Sequence, residues 1–243
     1  FSTHANVDLI IKTIETGFFD YVNLHWYYIR QENEQALQAA QKKDMGVFII
    51  SPTDKGGHLH TPSSKLLELC SPLHPIEFND LFCLSDERIH TLSVGASKPG
   101  DIDIHLDAIS KMDSMHGLID TIESKLVNAS YKSLGESWLT TWDRGLPSWD
   151  QTPGEINIPI LLWLYNLLMA WDMESFAKDR YALLGRGGHW FPGSNADCLD
   201  CEVSEDDLKK VLIHSPWRSE IPFVLRKLKD RLGGERRDRL WGI

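Results

Sequence analysis

The residues best placed to do chemistry follow a short apolar run. Val47 to Ile50 stops abruptly at Ser51 and Pro52 and opens into Thr53, Asp54 and Lys55 before paired glycines, Gly56 and Gly57. Three further stretches share this pattern of an apolar run followed by small or amide-bearing polar residues: Ser2-Thr3-His4, Asn23-Leu24-His25-Trp26 and Gly95-Ala96-Ser97-Lys98-Pro99. Hydroxyls, an amide and a lysine at successive strand ends suit hydrogen bonding to a polar ligand lying across those ends. Taken singly, each stretch also suits an ordinary solvated turn. His25 and the His58/His60 pair offer imidazoles, but a loop histidine is usually polar surface, which explains them better than catalysis or metal binding.

The elements that must position these residues alternate. Asn6 can cap a helix whose Val7, Ile10, Ile11 and Ile14 share one face and which Gly17 ends. Phe18 to Leu24 reads as a strand, Glu34 to Lys43 as a helix closed by Gly46, and Val47 to Ile50 as a strand buried on both faces. Two helical stretches follow, around Leu66 to Leu69 and from Ile76 to Leu84. His90 to Val94 is the next strand, and Ile102 to Met112 the next helix, with Ile102, Leu106 and Ile109 on one face. This order predicts an α/β fold with a parallel sheet and right-handed crossovers, either a small open sheet or roughly half of a barrel. From 113 onward the pattern is helical: a helix within Ile119 to Leu139, a loop punctuated by proline and glycine, a buried apolar helix from Pro159 to Trp171 interrupted by Asn166, a helix begun by Ser204, and an amphipathic helix from Ile221 to Leu232. The tail from Gly233 is expected to fray.

Composition narrows the function classes. The chain has 243 residues, 42% of them hydrophobic and 25% charged, with a formal charge of -10. That acidity argues against a nucleic-acid partner, and no run reaches the roughly 20 apolar residues of a membrane span. Four scattered cysteines, Cys70, Cys83, Cys198 and Cys201, make no disulfide framework and point to a reducing, cytoplasmic setting. The opening at Phe1, directly into FSTHANVDLI, reads as a cut inside a larger protein.

The four strand-end motifs, in this order and with the wording FSTHANVDLIIKTIETGFFDYVNLHWYY, GVFIISPTDKGG and HTLSVGASKPGDIDIHLDAI, resemble the C-terminal half of the aldo/keto reductases. These are NAD(P)H-dependent enzymes on an eight-stranded barrel. The resemblance covers about residues 1–112 and is closest to the branch whose barrel is followed by a ferredoxin-like segment. It implies the C-terminal half of a (β/α)8 barrel over 1–112, then an all-helical, degenerate ferredoxin-like module over 113–243. It assigns Ser2, Thr3 and Asn23 to the nicotinamide carboxamide, and Ser51, Pro52 and Thr53 to the pyrophosphate. Gly95, Ser97 and Lys98 fall near the adenosine phosphate, with Lys98 able to pair with a 2′-phosphate. Ile50 stands where an aromatic ring often stacks on the nicotinamide. Asp101 and His105 replace an Arg and an Asn, and an acidic Asp101 is an unfavourable neighbour for a 2′-phosphate. The implied cofactor is NADP(H) in preference to NAD(H), and the implied partner a small-molecule carbonyl substrate. The family's catalytic Tyr, Lys, Asp and His all lie before Phe1, so no residue here is assigned as catalytic.

The second segment resembles that branch's iron–sulfur region with the thiols largely gone. Leu146 to Pro153 retains the prolines without cysteines, Cys198 and Cys201 remain, and Ser215-Pro216 stands where Cys-Pro is expected. Two thiolates cannot make a four-ligand cluster, so the expectation is retained packing without a cluster or metal. Less favoured are a cluster completed by Cys70 or Cys83, a redox pair, or a zinc shared with His189. A rival from another class also stands. Nine tryptophans and an open barrel edge would equally suit a non-catalytic binding or scaffold protein that associates with a protein partner or with itself.

Overall fold

The computed structural model describes residues 1–112, 116–185 and 192–234. It is an α/β protein, with two compact units at Phe1–Leu126 and Val127–Ile243. Residues 235–243 of the expected fraying tail, and His189, lie outside the described residues.

In the first unit, α1 (Val7–Glu15) starts where the Asn6 side chain accepts the Leu9 N–H at 3.0 Å and stops at Gly17, whose φ of 69° is left-handed. Three short parallel strands follow in spatial order β1 (Tyr21–Leu24), β2 (Gly46–Ile50) and β3 (Thr91–Ser93). Val22 pairs with Val47, and Ile49 with Leu92. The segment at Ser2 adds a further parallel bridge to Asn23, with the Asn23 N–H donating to the Phe1 carbonyl at 2.8 Å. Neighbours in the sheet are therefore neighbours in sequence.

Gly46 opens β2 rather than closing α2 (Glu34–Lys42), and β1 is shorter than the Phe18 start expected for it: Phe18 is 83% exposed and outside the ladder. The strands are also not buried on both faces. Val22, Leu24, Val47 and Ile49 pack with Ile10 and Ile14 of α1 and Ala36, Leu37 and Ala40 of α2. Asn23, Phe48 and Ile50, on the opposite face, are half-buried, and Tyr21 is exposed. A continuous apolar run predicts two buried faces, but period-two alternation of side chains lets one face pack on helices while the other stays open.

After β2 come α3 (Ser64–Cys70) and α4 (Pro75–Leu84). The latter starts with a reciprocal cap: the His74 ring accepts the Ile76 N–H at 3.2 Å, and Glu77 accepts the His74 N–H at 2.8 Å. The register of α5 (Gly100–Ser110) departs from its apolar stripe. Asp101, His105 and Ala108 face inward, whereas Leu106 and Ile109 are 56% and 54% exposed. The physical reason is polar pairing. Asp101 accepts hydrogen bonds from the turn preceding the helix, and His105 Nδ1 pairs with the buried Asp80 side chain of α4, so polar pairing sets the rotation.

The helix α6 (His116–Leu134) runs across the limit of the two units, and the second unit continues with α7 (Glu136–Leu139) and two 3-10 turns, Trp149–Gln151 and Pro153–Glu155. Then follow α8 (Ile158–Trp171), α9 (Glu174–Leu183), α10 (Glu205–Val211) and α11 (Ile221–Leu232). Asn157 caps α8, with Pro159 in its first turn, and left-handed Asp172 ends it. Asn166, which interrupts the apolar run, accepts the Trp138 indole N–H at 2.6 Å, and Trp138 packs on Tyr165 and Trp217. Ser204 caps α10 through the Asp207 N–H. Among the described residues, no helix is long and apolar enough to cross a membrane.

Candidate functional site

The carboxyl ends of β1 and β2 bring together a group that sequence spacing did not reveal. Beyond Leu24 the chain turns so that His25 is buried, 3% exposed, and stacks on the ring of His4 with centroids 4.7 Å apart. The Tyr27 hydroxyl donates its single proton to the Ile50 carbonyl. His25 Nδ1, 2.5 Å from that hydroxyl, must then be the donor to it, which fixes the neutral tautomer with the lone pair on Nε2. Toward that lone pair point His4 Nδ1 at 2.9 Å and the Lys55 ammonium at 3.4 Å. Burial first, then the charges of Lys55, His4 and Arg30, hold the His25 pKa down at about 3. His25 is thus a neutral acceptor at ordinary pH, with donors gathered around it. Such an arrangement can hold a lysine and an imidazole beside an oxygen-bearing ligand at the strand ends.

The loop after β2 is held from below. Ser51 sits in the left-handed region at φ 52°, and its N–H extends the ladder to the Ser93 carbonyl at 3.0 Å. The Lys55 N–H returns to the Ser51 carbonyl at 3.0 Å, so the loop coils on itself and carries Lys55 back over the sheet edge. Gly56 permits this coil, since a Cβ there would lie 1.8 Å from the Pro52 carbonyl oxygen. Asn79, buried in α4, ties two loops together: its amide donates to the Pro52 carbonyl at 3.2 Å and accepts the Tyr28 N–H at 3.3 Å.

The residues singled out from sequence divide accordingly. Ser2 is exposed beside half-buried Asn23, to which it is bridged. The Thr3 hydroxyl accepts the Ala5 N–H at 2.9 Å and so serves its own turn. Ser51 and Lys55 face the strand ends through the coil just described. Pro52 and Thr53 are buried, and the Thr53 hydroxyl has no hydrogen-bond partner. A Cβ at Gly95 would meet nothing within 4 Å. At Ser97 and Lys98 the donors already have an acceptor. The Ser97 N–H, its hydroxyl and the Lys98 N–H all converge on Asp101 Oδ2, at 2.8, 2.8 and 3.1 Å. The Ser97 N–H and hydroxyl, with the Lys98 N–H and charge behind them, lower the Asp101 pKa to about 2. Its carboxylate sits where an anionic ligand of that turn would sit.

Sequence reasoning missed Tyr27 and Asn79. Tyr27 lies in an aromatic run with nothing to mark it, whereas Asn79 is a polar residue inside a mostly apolar helix, a signal that could have been followed. His58 lies 3.4 Å from Asp54, a contact on the loop surface. In the second unit, Cys198 and Cys201 line one cavity, while Cys70 and Cys83 are buried in the first. Among the described residues no group of three or more His, Cys, Asp or Glu side chains is disposed to hold a metal ion.

No protein-family model matches the chain, and searches of curated proteins and of solved structures return no match either.

Proposed function

We propose that residues 1–112 form the C-terminal half of an aldo/keto reductase-type barrel and that, in the intact protein, this half holds a nicotinamide cofactor while a small carbonyl compound is reduced. One observation carries the reading. Four chain segments lie parallel in sequence order, helices cover one face of the sheet and the other is open, and Ser2, His4, His25, Ser51 and Lys55 gather at the carboxyl edge. A sheet wound in one direction with one open face is what half a barrel requires, and that edge is where such folds bind ligands.

The fit to the cofactor differs along its length. At the nicotinamide end, Ser2 and Asn23 supply a hydroxyl and an amide side by side, which suits a carboxamide. At the phosphate end the fit fails while Asp101 remains ionised, because its carboxylate takes the donors a 2′-phosphate would need. The preference for NADP(H) implied by Lys98 is therefore opposed by its own turn. The bound cofactor would supply hydride. The chain's residues would orient the carboxamide, and Lys55, held against neutral His25, would place positive charge near the reacting end.

The test is tryptophan fluorescence of the chain titrated with NADH and with NADPH. Saturable quenching that Asn23→Ala weakens is expected. Absence of any saturable response, both from the folded chain and from a longer protein bearing the proposed upstream half, would refute the reading. A second reading, a non-catalytic binding module within the same half-barrel architecture, is favoured by the Asp101 contacts together with exposed Ile102, Leu106 and Ile109 on the same helix. It expects no cofactor response from either protein and a folded chain that recruits a protein ligand through α5, lost on Leu106→Glu.

A further inference from the structure

The second unit contains a cavity of about 570 Å3 lined by both of its cysteines together with Ser194, Asn195, Asp197 and Glu202. A volume of this size accommodates a small organic molecule. The two cysteines stand at the ends of one tight turn in that lining. The Cys201 N–H donates to the Cys198 carbonyl at 3.3 Å, and the Glu202 and Val203 N–H groups add bonds to the same oxygen at 2.9 and 3.2 Å. Asp200, at φ 64°, makes the reversal possible. A turn closed from residue i to i+3 keeps its end Cα atoms within about 7 Å, the span over which two cysteines can be bridged.

The two sulfurs are not equivalent. Cys201 is exposed, whereas Cys198 is half-buried and pressed against the loop at Gly154, where a Cβ would lie 2.9 Å from Cys198 Sγ. Both are free thiols.

We infer that Cys198 and Cys201 form a dithiol–disulfide site in which Cys201 is the entering nucleophile and Cys198 the resolving thiol, its substrates being neutral or cationic low-molecular-weight disulfides. In the first step the Cys201 thiolate attacks one sulfur of the small disulfide, forming a mixed disulfide and releasing one small thiolate. In the second, the Cys198 thiolate attacks Cys201 Sγ, closing the internal disulfide and releasing the second thiolate. The chain loses two electrons and two protons, and the small disulfide gains the electrons to become two thiols. Burial raises the Cys198 pKa, consistent with a thiol held back until the mixed disulfide is beside it. Asp197 and Glu202 give the cavity an acidic lining, so anionic disulfides should enter less readily. This site is independent of the oxidoreductase reading of the first unit.

The experiment incubates the reduced chain with cystamine, quenches with an alkylating agent and maps the products by mass spectrometry. The expected product is a Cys198–Cys201 linkage, while Cys70 and Cys83 stay reduced and alkylate only after unfolding. Cys198→Ser should trap a stable mixed disulfide at Cys201, and Cys201→Ser should react roughly tenfold more slowly at Cys198, because the remaining sulfur is less exposed and burial raises its pKa. Circular dichroism establishes that each variant is folded, and a conservative Cys→Ser change removes only one sulfur. Failure of the folded wild-type chain to form the internal disulfide would overturn the proposal. So would equal trapping by the two variants, or reaction with the anionic glutathione disulfide as fast as with cystamine.

Discussion

Asn79→Ala is the change that most directly tests how the strand-end loops are held. Asn79 is 3% exposed and spans two loops, donating to the Pro52 carbonyl and accepting the Tyr28 N–H. Truncation removes little apolar area, so the loss is set by the two hydrogen bonds and by the buried groups left behind. Each bond contributes about 1 kcal/mol net, and a buried group stripped of its partner costs about 1–3 kcal/mol, which gives an expected destabilisation of roughly 2–4 kcal/mol. Urea unfolding followed by far-ultraviolet circular dichroism and tryptophan fluorescence would read this as a midpoint lowered by about 1–2 M at an unchanged slope near 2 kcal/mol/M. Asn79→Asp is the informative companion. The introduced carboxylate keeps an acceptor for Tyr28 but sets a second oxygen against the Pro52 carbonyl. At neutral pH it should be destabilised at least as much as the alanine variant, with part of the loss recovered on acidification as the new carboxyl becomes a donor. A loss below about 0.5 kcal/mol for Asn79→Ala would refute the assignment of Asn79 as the tie between these loops, since it would fall within the range of ordinary surface substitutions.

The remaining expectations concern single groups. His25 is held neutral to about pH 3 against an ordinary value of 6.5, so between those values the unfolded chain binds more protons than the folded one and stability rises with pH. His25→Gln should flatten the pH dependence of the urea midpoint over that window. Asp101 is depressed to about 2 from 3.8, so its stabilisation is present above about pH 4 and lost as pH falls toward 2, a dependence Asp101→Asn should remove. If Asp101 is what keeps anions from the Ser97 turn, Asp101→Ser should tighten NADPH binding relative to NADH in the same titration, and an unchanged ratio would sink that explanation. Gly154→Ala forces a φ of 64° on a residue with a Cβ that would lie 2.9 Å from both Cys198 Sγ and Val203 Cγ2, so a loss of roughly 1–3 kcal/mol in urea unfolding is expected. Asn166→Leu should destabilise the second unit despite adding an apolar group to an apolar helix, because the Trp138 indole loses its acceptor. Retained or raised stability would show that water replaces it.

Helix ends and apolar periodicity were legible because they are local. Asn6, Ser204 and the run from Pro159 to Trp171 behave as their types and spacing dictate, since capping and face formation involve residues within one or two turns. The alternation of helix and strand likewise specified an α/β arrangement with parallel strands before any contact was known. Three matters were beyond local reading. Which sheet face packs, which side of α5 turns inward and what surrounds Lys55 all depend on partners far away in the chain: α1 and α2 beneath the sheet, Asp80 opposite His105, and His25 opposite Lys55. An apolar stripe such as Ile102, Leu106 and Ile109 states a preference, but a buried carboxylate and imidazole must find each other or remain unsatisfied, and that requirement prevailed. The strand-end residues were visible one by one as types with chemical capacity. Only the tertiary structure set His4, His25, Tyr27 and Lys55 within bonding distance and turned Asp101 onto the donors of its own loop, because a fold brings side chains together by geometry that sequence separation does not encode.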